Sequence, residues 1–135
     1  MREPFQTIAG ADGWQISTPT ILSMAAIKAS LEIFKDVGME KLCEKSTQLT
    51  SYLEFLLRNL NSTKINIITP KDPASRGCQI SIEINDANKK FHENLTNLGV
   101  ITDWRDPNVI RCAPTPLYNT FEEVYLFVEK LKLLI

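Results

Sequence analysis

The sequence predicts an α+β fold, a small and mainly antiparallel sheet covered by helices. Three observations predict it. Periodicities run in the order helix–helix–strand–strand–helix–strand–strand–helix. The last two strands form a hairpin-like pair across Asp106-Pro107-Asn108. The chain has 135 residues, 44% of them hydrophobic, enough for one core.

Residues 1–18 read as an irregular lead-in with Gly10 and Gly13. Thr18-Pro19 announces the first helix. Thr18 is a good N-cap, and Pro19 suits the first helical position, where its missing N–H would be unpaired anyway. Met24, Ile27, Leu31 and Phe34 form its apolar stripe, and Gly38 ends it as a C′ residue. A second helix runs from about Met39 to Leu60, with Leu42, Leu49, Leu53, Leu56 and Leu60 on one stripe.

Ile65–Thr69 reads as a strand stopped by Pro70, and Lys71–Gly77 as a polar turn. Cys78–Ile84 alternates apolar and polar, as a half-buried strand does. Asp86 can cap a short helix over 87–98 that stops at Gly99. Val100–Trp104 and Val109–Ala113 are the third and fourth strands. The last helix starts at Asn119 or Thr120. Thr120 with Glu123 makes a capping box, and Phe121, Val124, Val128 and Leu131 form its buried stripe.

Composition excludes several functions. The chain carries 15 Lys+Arg against 16 Asp+Glu, a net charge of −1, so it lacks the basic surplus of a nucleic-acid binder. No apolar run reaches membrane-spanning length. Glu3 and Pro4 interrupt the start, so no secretory signal is expected. Cys43, Cys78 and Cys112 are widely spaced and match no metal pattern; each is expected to be a small buried hydrophobe. His92, the single histidine, lies beside an apolar stripe and reads as a boundary residue. No lysine stands out as a Schiff-base residue, and Lys28, Lys41, Lys45 and Lys130 fall on helix exteriors.

Two places could carry chemistry. The first is Gly10–Thr18 before Pro19. Glycines let a backbone approach a ligand, a helix start offers free N–H groups to an anion, and Thr18 adds a hydroxyl. The alternative is an ordinary capped helix. The second is Arg111, the one charge in an apolar strand just before Pro114-Thr115-Pro116. A strand-held arginine suits a carboxylate, which it can grip with two parallel hydrogen bonds. The alternative is an outward-facing arginine on the wet side of the sheet. Trp104 and Arg105 flank the same turn, as surface residues or, for Trp104, beside a ligand.

Five segments together resemble kynureninase, a pyridoxal phosphate (PLP) enzyme of fold type I. They are Gly13–Pro19, Ala29–Phe34, Asn66–Pro70, Arg76–Gln79 and Ile110–Asn119. The resemblance is to the carboxy-terminal part of that enzyme. It implies one domain over 1–135, with 1–18 leading in from a large domain that is absent and 19–135 forming the small domain. It implies hydrolysis of the Cβ–Cγ bond of L-kynurenine, or of its 3-hydroxy form, to anthranilate or 3-hydroxyanthranilate and L-alanine, in tryptophan catabolism and NAD biosynthesis. PLP is the cofactor and serves as electron sink. The enzyme is expected to be a cytoplasmic homodimer.

By the resemblance, Arg111 binds the substrate α-carboxylate. Thr18 approaches the cofactor phosphate and substrate across the dimer interface. The Schiff-base lysine would lie outside this chain, since no Ser-x-His-Lys segment occurs. No catalytic residue is therefore expected here, and the 135 residues alone should be inactive. Two alternatives remain: the same domain of a related desulfurase or aminotransferase, and a stand-alone non-catalytic binding module.

Overall fold

The computed structural model describes Gln6 and residues 8–135. Glu3 and Pro4 lie outside the described residues. The chain divides into two compact units, one ending at Val37 and the other spanning Gly38–Ile135.

The first unit holds a 3₁₀ turn, Ala11–Trp14, and helix α1, Ile21–Val37. The helix starts later than Thr18-Pro19 suggests. The amide of Met24 donates to the Thr20 carbonyl at 3.0 Å, so the helical ladder opens after Thr18 and Pro19. Thr20 is β-branched and costs less flanking the first turn than inside it. The predicted stripe exists as spacing only. Met24, Ile27 and Leu31 are exposed, and Phe34 is half-buried. Gly38 ends α1 with φ +86°, a conformation that a side chain would strain.

The second unit contains α2 (Met39–Asn59), β1 (Ile65–Ile67), β2 (Ile80–Ile84), α3 (Lys89–Asn97), β3 (Asp103–Arg105), β4 (Val109–Cys112) and α4 (Phe121–Lys132). The four strands form one antiparallel sheet in the order β1-β2-β4-β3. Alternation sorts its faces. Ile80, Ile82 and Ile84 of β2 and Ile110 and Cys112 of β4 are buried in one cluster with Leu49, Leu53 and Leu57 of α2, Leu95 of α3, and Val124, Val128 and Leu131 of α4. Three helices thus cover one face. Each of these aliphatic side chains contributes roughly 1.5–3 kcal/mol by leaving water. The other face carries Asn66, Ser81, Glu83, Asp103, Arg105, Val109 and Arg111.

The capping box at the start of α4 is present. The Thr120 hydroxyl accepts from the Glu123 amide at 3.2 Å, and Glu123 Oε2 accepts from the Thr120 amide at 2.8 Å. Phe121 of the expected stripe is 44% exposed. On α2 the expected Leu42, Leu49 and Leu53 are buried, but toward the C-terminus Leu57 is the buried leucine, while Leu56 and Leu60 are half-buried. The cap of α3 is Asn88, not Asp86: its side chain accepts from the Lys90 and Phe91 amides at 3.0 and 3.2 Å. Asp86 instead takes φ +63° in the preceding turn, a conformation that short polar side chains tolerate.

Strand β3 begins later than Val100. The Val100 amide is used by the Leu95 carbonyl at 3.2 Å to close α3, so residue 100 cannot yet join the sheet. Asp106–Asn108 turns the chain from β3 to β4, and its Asp106–Pro107 peptide is cis. No helix among the described residues is long and apolar enough to cross a membrane.

Candidate functional site

Arg111 sits on a central strand. Its neighbours Ile110 and Cys112 point into the core, so pleating turns Arg111 to the face the helices leave open. The register sets Ser81 on one side of it and Asp103 on the other. Arg111 Nε donates to Asp103 Oδ2 at 2.8 Å, and Arg111 Nη2 donates to the same oxygen. Arg105 Nη2 approaches that oxygen to 3.0 Å. Two guanidinium groups therefore share one carboxylate, and a positive charge is left over.

The hydrogen bond from Arg111, with the charges of Arg105 and Arg111, holds the Asp103 carboxyl below its ordinary value against partial desolvation. Arg111 Nη1 meets no acceptor among the described residues.

Arg111 and Asp103 line a cleft of about 520 Å³. Its apolar wall includes Val100, Ile101, Pro114 and Phe127; Tyr118 and Asn119 stand at its polar side. Ile101 and Tyr118 are 91% and 72% exposed. The Thr102 hydroxyl in the same wall is buried without a hydrogen-bond partner among the described residues. The loop after β4 is pinned from two sides. Lys45 Nζ donates to the Pro116 carbonyl at 2.7 Å, and the Thr115 amide donates to Asn119 Oδ1 at 2.7 Å. Glu123 also borders the cleft, but its carboxylate is committed to the α4 cap. The bond from the Thr120 amide, then that from Asn119, holds its carboxyl low.

Thr18 is exposed, three residues ahead of the first residue of α1. Helix-dipole influence fades within the first turn, so the free N–H groups of α1 begin beyond it. Gly13 has a local reason to be glycine, since a Cβ there would collide with the Ile8 carbonyl. Thr18 and Arg111 belong to different compact units.

Trp104 lies on the helix side of the sheet, packed against the core, with its Nε1 donating to Asp106 Oδ1 at 2.9 Å. His92 is half-buried against it, ring centroids 5.9 Å apart, and one ring nitrogen lies 3.0 Å from the Thr102 carbonyl oxygen. Of the cysteines only Cys112 is buried, its thiol pushed up to about 12 by burial; Cys78 is half-buried and Cys43 is exposed. Cys43 immediately follows the buried Leu42 on α2, which turns it away from the core.

A second arginine–carboxylate cluster was not legible in the sequence. Glu54 of α2 is buried and accepts from Arg76 Nη1 at 2.6 Å and from Arg58 Nε at 2.8 Å. Arg76 Nη1 also donates to the Pro70 carbonyl at 3.1 Å. Burial works against the Glu54 carboxylate, but the bonds and charges of Arg76 and Arg58 outweigh it and hold its carboxyl low.

Comparison with known proteins places this geometry. Among solved structures the chain is similar to a NifS-like protein, with a TM-score of 0.69 and 22% identity over 96% of this chain and 38% of that one. It is also similar to an acetylornithine aminotransferase from Elizabethkingia anophelis, with a TM-score of 0.67 and 21% identity over 92% and 32%. The chain accordingly shares its fold with a part of each of those two proteins.

A family model described as the Kynureninase C-terminal domain matches residues 42–131. Proteins named Kynureninase from Koribacter versatilis and Flavobacterium psychrophilum are each 45% identical to it over 96% and 98% of this chain. The chain belongs to the kynureninase C-terminal domain family. It spans 31–32% of the length of those two relatives.

Proposed function

We propose that this chain is the carboxylate-binding part of a PLP-dependent kynureninase, with Arg111 gripping the α-carboxylate of L-kynurenine or 3-hydroxykynurenine. One observation carries the reading. Arg111 lines an open cleft on a central strand paired on both sides, and its Nη1 has no partner among the described residues. A carboxylate entering the cleft would gain a charge-assisted bond there.

The residues present do not fit PLP by themselves. No lysine among the described residues lines the cleft to form a Schiff base; Lys45 Nζ donates to the Pro116 carbonyl. The cofactor would be held by other parts of the complete enzyme, and this chain's share is substrate recognition. Thr18, exposed and with no side-chain hydrogen bond among the described residues, is the residue proposed to meet the cofactor phosphate and substrate in the homodimer. The cytoplasmic setting belongs to the same reading.

The test is Arg111→Met in the complete enzyme. KM for kynurenine should rise by an amount equivalent to about 2–4 kcal/mol, the worth of a lost charge-assisted pair. Anthranilate fluorescence follows the reaction. An unchanged KM removes Arg111 from the site. The 135-residue chain with added PLP should yield no anthranilate.

A further inference from the structure

We infer that Asp103 is a positioning residue, which holds Arg111 by its Nε edge and so presents the Nη1 edge to a ligand carboxylate. The inference rests on the reading of Arg111 as the carboxylate clamp and adds the residue that aims it.

A guanidinium has two edges that can engage a carboxylate, one formed by Nε and Nη2 and one by the two Nη groups. Asp103 occupies the first edge. Both Nε and Nη2 donate to its Oδ2. Among the described residues nothing occupies Nη1.

An arginine stem is long and flexible, so a free Arg111 would sample many poses and lose that freedom on binding. Asp103 removes the freedom beforehand. It can do so because it is itself fixed. It stands directly opposite Arg111 in the β3–β4 register, and Arg105, two residues along the same strand, approaches the same Oδ2 at 3.0 Å.

The charge balance agrees. One aspartate between two arginines orients Arg111 without cancelling the attraction for an incoming anion. A different role is conceivable on charge alone, a stand-in carboxylate that substrate must displace. The geometry separates the two roles. A stand-in would be held by Arg111 alone and leave easily, whereas Asp103 is also held by Arg105 and leaves Nη1 without a partner among the described residues.

The experiment measures KM and kcat in the complete enzyme for kynurenine and for its α-carboxamide analogue. Asp103→Asn should raise KM for kynurenine about tenfold with kcat nearly constant, as expected for a clamp that keeps its charge and loses its aim. The preference for carboxylate over carboxamide should fall by the same factor, which a merely structural role would not produce. Asp103→Glu keeps the charge, moves the pair by one methylene, and should raise KM about threefold. It carries the test alone if Asp103→Asn does not fold.

Unchanged KM and preference in these variants overturns the inference while Arg111 remains the clamp. A KM that falls also overturns it, because it marks Asp103 as a competitor for Arg111. Arg111→Met distinguishes the deeper failure: if the carboxylate preference survives that change, the clamp reading itself is wrong and the inference falls with it.

Discussion

Among the described residues two arginines surround one carboxylate in two places, and the two clusters differ in their exposure to water. In Arg76–Glu54–Arg58 the Arg76 side chain is 3% exposed and that of Glu54 is 9% exposed. In Arg105–Asp103–Arg111 the side chains of Arg111 and Asp103 are 33% and 46% exposed. The first cluster ties the 70–76 loop to α2 through the Pro70 carbonyl and the Glu54 carboxylate. Arg76 and Glu54 have left water and depend on one another, while Arg58 reaches in from a half-exposed position. The second sits at an open cleft, and Arg111 Nη1 has no partner among the described residues. The same chemistry is closed and dry in one place and open and half-wet in the other.

That contrast can be broken at its strongest point first. Glu54→Gln strands the Arg76 guanidinium in a dry site, and unfolding in urea should show a loss on the order of 3 kcal/mol. Arg111→Met should leave the urea midpoint nearly where it is, because its partner remains hydrated. Equal losses from the two variants would erase the distinction.

Acid unfolding sharpens it. Glu54 has a folded pKa below its ordinary 4.5, so its stabilisation is complete above that value and is lost as pH falls through the folded one. Wild-type stability should therefore decline below about pH 4.5, and Glu54→Gln should flatten that decline more than Asp103→Asn does. A series of urea midpoints across acid pH reads the difference.

Within the dry cluster the two arginines should also part company. Arg58 is 54% exposed at the same carboxylate, so Arg58→Ala should cost only about 0.5 kcal/mol, far less than Arg76→Met. The smallest effect is expected at Arg105→Ala, where 58% of the side chain is exposed and thermal unfolding should scarcely move.

What could be foreseen in the sequence follows from which signals are local. The Thr120–Glu123 box spans four residues and was legible with its partners. The alternation Ile80-Ser81-Ile82-Glu83-Ile84 displayed its buried face outright. Arg111 stood out because it is the one charge in an apolar strand. Failures came where competing local options were equally good. Thr18, Asp86 and Val100 each had the chemistry to start an element, and hydrogen bonds made a few residues away decided otherwise. The arginine partners of Asp103 and Glu54 were harder to foresee for a different reason. Arg111 and Asp103 meet only through cross-strand register, and Arg76 meets Glu54 across 22 residues. The second separation is written in no short window, and the first follows only once the register of the hairpin is fixed.

The placement of Arg111 by strand parity has a hereditary consequence. Pleating sends Ile110 and Cys112 one way and Arg111 the other, and the 106–108 turn fixes the pairing that sustains it. A gene losing or gaining one codon in this turn would shift β4 by one step against β3 and β2. It would drive a guanidinium toward the aliphatic layer and bring Ile110 out to the cleft. Point substitutions in the turn are far milder, because they leave the count intact. The length of this stretch should accordingly be guarded more strictly by selection than the identity of its residues.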